Sequence, residues 1–155
     1  MKIILPQFLA LLSTGLLAGA FIYGLLNIVP TFYEVPPSVH LTYRTQLMTH
    51  NSVTMQSLMI TSIIAPAWYA FTCRDSSAAA VLAFASALLA LTSLLVTRFG
   101  NVPINQLVKI WSHGHPPDDW LSVLHKWNYY NKIRSLTALG CFISFITATL
   151  FYHRS

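Results

Sequence analysis

Residues 3–29 read IILPQFLALLSTGLLAGAFIYGLLNIV, an apolar run with no Asp, Glu, Lys or Arg in it. A helix needs roughly 20 such residues to cross the hydrocarbon core of a bilayer, so the run predicts a membrane span over 5–29. A cleaved signal peptide is the competing reading, because Lys2 makes a short basic start and Ala18-Gly19-Ala20 resembles a small-residue cleavage site. Against it, apolar residues continue through Phe21, Ile22, Tyr23, Leu25 and Leu26, past the ~7 to 15 residues of a signal core. Gly15 and Gly19 form a G-x-x-x-G, a spacing that lets another helix come close.

Three more runs of the same kind follow, at 53–71, 78–96 and 136–152. The whole chain agrees with them. Of its 155 residues, 55% are hydrophobic and 8% charged, where a soluble domain has about 25% charged, and mean hydropathy is +0.58. So few charges cannot cover a water-facing surface, which excludes a soluble globular protein. The net charge of +5 comes without a basic cluster, which excludes a nucleic-acid groove and favours a membrane surface or an anionic ligand. Cys73 and Cys141 are isolated, so neither a disulfide framework nor a zinc site follows from them. The expectation is one domain over 1–155, all-α, a transmembrane four-helix up-down bundle.

The connections are unequal. Arg74-Asp75-Ser76-Ser77 is a tight polar turn between the second and third runs, while long segments precede the second and the fourth. Helix-to-helix connections usually take about 2 to 8 residues, so the functional elaboration is expected on the long-loop side, opposite both termini. Lys2, Arg74 and Arg154 fall on the terminal side; Arg44, Arg98, Lys109, Lys126, Lys132 and Arg134 fall on the other. A literal positive-inside reading places the long loops in the cytoplasm, but if several of those charges point into a site the vote is close to a tie and the orientation stays open. The chain is expected to be a multi-pass protein of the cell membrane, in contact with lipid and open to homo-oligomer formation.

Both long connections look helical. Pro36-Pro37-Ser38 supplies a stop and then an N-cap. At helical periodicity His50, Thr54, Ser57, Thr61 and Trp68 form a polar stripe expected to face the bundle, with His40, Arg44 and Asn51 on its flank. Gly100 is a candidate terminator of the third helix and Pro103 a candidate start for a short interfacial helix bearing Ile104, Leu107, Val108 and Trp111. After Pro116-Pro117-Asp118-Asp119 nothing interrupts helix until Gly140. Trp120, Leu124, Trp127, Asn131, Arg134, Ala138 and Cys141 recur there on one face, opposite His125, Lys126, Tyr129 and Lys132. An inward arginine near the membrane boundary is costly without a partner or a wet cavity. The four acidic residues are Glu34, Asp75, Asp118 and Asp119, so Arg134 either pairs with a loop carboxylate, snorkels to lipid phosphate, or serves an anionic or carbonyl-bearing ligand.

Asn101-Val102-Pro103-Ile104-Asn105, then Pro117-Asp118-Asp119-Trp120, then Trp127 with Asn131 and Arg134, together resemble the signature of the anthrone oxygenase-like family of small membrane proteins. The resemblance covers the third span through the fourth. It implies a four-helix membrane protein that oxidises an anthrone to an anthraquinone with molecular oxygen and no bound cofactor, and it carries Asn101, Asn105, Trp120, Trp127, Asn131 and Arg134 over as motif positions. Family members often have His beside the motif Asn, where this chain has Lys132, so no general base is implied at that point. His40, Arg44 and His50 match no family pattern.

An anthrone enol is acidic and its enolate can give an electron directly to oxygen, so such a site needs a base, an oxyanion stabiliser and an apolar pocket. The expected catalytic set is Arg134, Asn131 and Asn105 at the enolate oxygen and His50 as base. Asn101, Trp120, Trp127, Arg44 and His40 are expected to bind a hydrophobic aromatic substrate, with His40 the alternative base. No metal is expected. The rival is iron or copper at His113-x-His115 beside Asp118 and Asp119. A second rival has no chemistry at all: an accessory subunit, or a lipid or quinone carrier.

Overall fold

The computed structural model describes residues 3–114 and 116–152, and among them every regular element is a helix. Lys2, His115 and Arg154, which entered the signal-peptide, topology and metal readings, lie outside the described residues. The elements are α1 (Ile4–Tyr23), α2 (Val29–Glu34), α3 (Pro37–Thr72), α4 (Ser77–Val96), α5 (Val102–Trp111) and α6 (Trp120–Tyr152). Three continuous helical stretches, Ile4–Glu34, Ser77–Trp111 and Trp120–Tyr152, are long and apolar enough to cross a membrane. The 36-residue α3 falls outside that set, because even its more apolar second half is diluted by Thr54, Gln56, Ser57, Thr61, Ser62 and Pro66.

Two of the stretches contain a π-helical turn, and each turn answers a proline. The Val29 N–H bonds the Gly24 carbonyl and the Val102 N–H bonds the Thr97 carbonyl, both spanning five residues, and Pro30 and Pro103 follow immediately. Proline has no N–H to give, and its ring crowds the carbonyl four residues back. A widened turn relieves that crowding without ending the helix. The expected break at Gly100 is therefore corrected, since α4 runs through Thr97–Asn101 into α5. No glycine among the described residues has positive φ. Gly100 serves close approach instead: a Cβ there would lie 2.5 Å from Cγ of Tyr130 on α6. The first apolar helix likewise passes the expected limit of 29 and ends at Glu34.

The long helices pack as a ring, α1 against α3 and α6, and α4 against α3 and α6. On α4 the small residues Ala79, Ala83, Ser86, Ala90 and Ser93 are buried at alternating steps of four and three, which lets α6 come close. The Ser86 hydroxyl donates to the Cys141 carbonyl at 2.9 Å, and the Ser144 hydroxyl donates back to the Leu82 carbonyl at 2.8 Å. Gly15 meets the Phe142 ring, whereas nothing lies within 4 Å of a Cβ on Gly19. Half of the G-x-x-x-G is therefore used within the chain.

Helix α3 corrects two expectations. It begins at Pro37, with Pro36 in the cap position, so Ser38 sits inside the first turn and caps nothing. Its buried residues are His40, Leu41, Arg44, Met59, Ser62, Ala65, Pro66, Tyr69 and Ala70. His50, Thr54, Ser57 and Trp68 are exposed and Thr61 is half-buried. The polar stripe points away from the ring, and the flank holding Arg44 and Asn51 points in. The reason lies in the second half of α3, where Met59, Ser62, Ala65 and Tyr69 lock against α1, α4 and α6. A helix is rigid, so that lock sets the rotation of its first half.

Candidate functional site

At the end of the ring where α2, α5 and the first turns of α6 gather, the helices line an open-mouthed cavity of about 640 Å³. That is within the ~300 to 1,000 Å³ of small-molecule sites. Phe21, Ile28, Val29, Met55, Met59 and Trp127 supply apolar wall; Arg44, Asn51, Asn105, Lys109, Asn131 and Arg134 supply polar groups. No Asp or Glu lines it.

Helix α6 carries the centre of the site. Its face Leu124, Trp127, Asn131, Ser135, Ala138 and Cys141 is buried, as the 3.6-residue repeat predicts. Arg134 stands at the edge of that face and is half-buried. Its Nε donates to Asn131 Oδ1 at 2.9 Å, and its guanidinium lies 4.6 Å from the Phe21 ring centroid and 5.5 Å from that of Trp127. Asn131 is itself held, because the Ser135 hydroxyl donates to its carbonyl at 2.7 Å. Its amide nitrogen is buried with no hydrogen-bond partner. A buried donor left unmade costs free energy unless something else accepts from it, and Asn131 is one of the residues that line the cavity.

The second centre is built across helices. Arg44, 3% exposed, reaches from α3 so that Nη2 donates to Asn105 Oδ1 at 3.2 Å, while Trp127 Nε1 donates to the same oxygen at 2.9 Å. The Arg44 guanidinium lies 4.1 Å from the Trp127 ring centroid. One indole thus meets two guanidiniums, an arrangement stabilised by cation–π attraction. Burial pulls the Arg44 pKa below the ordinary arginine range, with Tyr33 opposing and the Arg134 charge adding to the shift. Among the described residues neither arginine has a carboxylate partner, which removes the loop-carboxylate option for Arg134.

The remaining expected residues fall elsewhere. Asn101, fully buried in the π turn, donates Nδ2 to the Trp127 carbonyl at 3.0 Å; it positions α6 and does not line the cavity. Trp120 packs edge-on to His40 at 5.5 Å. His40 stacks on Phe32 at 4.6 Å, and its Nδ1–H donates to the Phe32 carbonyl at 2.8 Å, leaving Nε2 as a buried lone pair without a partner. Burial, helped by the neighbouring Arg44 charge and opposed by the Phe32 bond, pushes its pKa down to about 4. It faces a smaller cavity of about 260 Å³ that shares Ile28, Phe32 and Tyr43 with the larger one. His50 is exposed and lines neither. The structure therefore brings together Arg44, Asn105, Trp127, Asn131 and Arg134, and leaves out His50, His40, Asn101 and Trp120.

Phe21, Lys109 and the methionines of α3 belong to the cavity and were not legible as such. Lys109 was visible as a loop charge, but Phe21 is one apolar residue in an apolar span and carries no local signal. Among the described residues no group of three His, Cys, Asp or Glu could hold a metal ion; His115, half of the expected His113-x-His115 pair, is not among them.

The sequence model of the family described as anthrone oxygenase matches residues 45–144. The match takes in the cavity residues of α4 to α6 and reaches back into α3, further than the motif residues alone, with Arg44 immediately outside it. No curated protein and no solved structure matches the chain.

Proposed function

This chain belongs to the anthrone oxygenase family, and we propose that it oxidises an aromatic, polyketide-type substrate of the anthrone kind with molecular oxygen and without a resident cofactor. The observation that carries this reading is the hydrogen-bonded Arg134–Asn131 pair, both residues lining an apolar, aromatic-walled cavity with no carboxylate among its described lining residues.

The chemistry follows from that pair. A flat ring system lies against Trp127, with its oxygen at Arg134 and Asn131. Two nearby guanidiniums favour the anion over the neutral enol, so they lower the substrate's pKa and its proton leaves to solvent. With neither His40 nor His50 lining this cavity, the cations take over the task expected of a base. The enolate gives an electron to oxygen, the resulting pair joins as a carbon–oxygen bond at the ring methylene, and loss of water leaves a carbonyl. One oxygen atom of O2 ends in the quinone and the other in water. Donors already in place need no reorganisation as charge develops, which is where such sites gain most of their rate.

The finer architecture is part of the same proposal. The 53–71 portion of α3, packed between α1 and α4, crosses the cell membrane as the fourth span of an up-down bundle, and α5, apolar on one side, lies at the interface beside the cavity mouth.

The test is oxygen uptake and quinone absorbance with anthrone, using the full chain in uncharged detergent. Arg134→Gln and Asn131→Ala should each lower kcat by about 10²- to 10³-fold, the usual loss on removing an oxyanion donor, with the melting transition retained. Unchanged turnover in both variants would overturn the assignment. Activity that tracks copurified iron or copper and disappears on chelation would replace the cofactor-free reaction with the metal-dependent one.

A further inference from the structure

Arg44 reaches the enolate step only through its charge and is not placed at the enolate oxygen, yet its burial is nearly complete. Its described hydrogen bond uses Nη2, with Asn105 Oδ1; among the described residues its other N–H groups have no partner and no carboxylate comes near enough to pair. Lys109, on the same helix as Asn105 and one turn further along, also lines the cavity. With Arg134 this makes three cations against no acid. Both guanidiniums lie within 5.5 Å of one indole centroid, so they repel each other in a setting of low dielectric. Leaving buried charges uncompensated is strongly unfavourable. A bound enolate neutralises one of them, and a positive excess remains on the α3–α5 side.

We propose that Arg44 and Lys109 form a second anion subsite of the cavity, and that the aromatic ligand carries a carboxylate there in addition to the oxygen held by Arg134 and Asn131. This rests on the reading above for the enolate end. A carboxylate suits the subsite because it accepts from the free edge of a planar guanidinium and from an ammonium at once, while the amide of Asn105 fixes the guanidinium from behind. The remaining wall, Phe32, Tyr43 and Met48, suits the ring that bears the carboxylate. A phospholipid phosphate shares the same chemistry, so the experiment separates the two sources.

The full chain in uncharged detergent is titrated with anthracene-2-carboxylate and with its uncharged counterpart anthracene-2-carboxamide, and anthracene fluorescence is followed. The carboxylate should bind about tenfold more tightly, a difference of about 1.4 kcal/mol. Arg44→Gln should abolish that preference, Lys109→Gln should reduce it, and Arg44→Lys should restore part of it. Equal affinity of the two probes, or a preference that survives Arg44→Gln, overturns the proposal. Should Arg44→Gln not fold, Lys109→Gln decides alone, and an unchanged preference there counts against it. Competition is run with inorganic phosphate and with micelles containing phosphatidylglycerol. Displacement of the carboxylate probe by equimolar phosphatidylglycerol assigns the subsite to lipid and overturns the substrate reading. Because binding is measured without turnover, absence of oxygen uptake would sink the proposed reaction and leave this inference standing, and the reverse also holds.

Discussion

The two ends of the helix ring are built on opposite principles. Around Tyr69 and Phe145, whose rings meet edge to face at 5.1 Å, the space is closed by Ala10, Ala65, Ala79, Ala83 and Ala148. Small side chains let the backbones approach until two aromatic rings fill what is left, and dispersion between close-packed atoms holds the contact together in lipid as in water. Around Trp127 the space between the helices is not filled. Arginines and asparagines occupy positions that alanines occupy at the other end, a π turn splays α4 into α5, and a cavity remains. The closed end gives the molecule its stability. Unpartnered buried hydroxyls occur at the closed end too, at Ser62 and Tyr69; what sets the open end apart is two guanidiniums with no carboxylate beside them, a cost that an anionic ligand offsets.

Three substitutions probe that division. Phe145→Ala, at the closed end, should destabilise by about 3 to 5 kcal/mol, the cost of emptying a well-packed aromatic site, read as a lower midpoint in a detergent denaturation series. The protein that remains folded should keep its affinity for anthracene-2-carboxylate. Loss of affinity at unchanged stability would show that the two ends are not separate. Gly100→Ala lies at the junction, where the new methyl must displace the Tyr130 ring and, through it, the packing of Val29, Ile104 and Trp127. Overpacking of this kind costs about 1 to 3 kcal/mol, and here stability and ligand affinity should fall together. Ser86→Ala removes two interhelical hydrogen bonds, to the carbonyl and to Sγ of Cys141. Such bonds contribute about 0.6 kcal/mol in a membrane protein, so the midpoint should move slightly and ligand binding not at all.

How far the site could be read in advance depended on where each signal was carried. The face of α6 was legible because Trp120, Leu124, Trp127, Asn131 and Arg134 lie on one helix, and the 3.6-residue period alone places them together. The family motif added Asn105, which meets Trp127 in the structure as a direct hydrogen bond. Helix α3 was misread. Its most obvious polar stripe, His50 to Trp68, is on the outside, and the inward face mixes Arg44 with methionines, serine and alanine. Hydropathy could not rank those two faces, since both contain polar and apolar residues. The prolines were misread for a different reason. Pro103 follows a residue able to bond five positions back, so a π turn carries the helix through it, as another does at Pro30, where Gly100 was expected to end one helix and Pro103 to start the next.

Composition and local periodicity were enough to establish an apolar helical chain, the presence of its long runs, and the side of α6 that turns inward, because those properties arise within single helices. Which face of α3 meets the others, and hence the meeting of Arg44 with Trp127 and Arg134, emerged when four helices packed at once. Rotation about a helix axis is set by interlocking of side chains from neighbours distant in the chain, and a run of residues read alone contains no term for it.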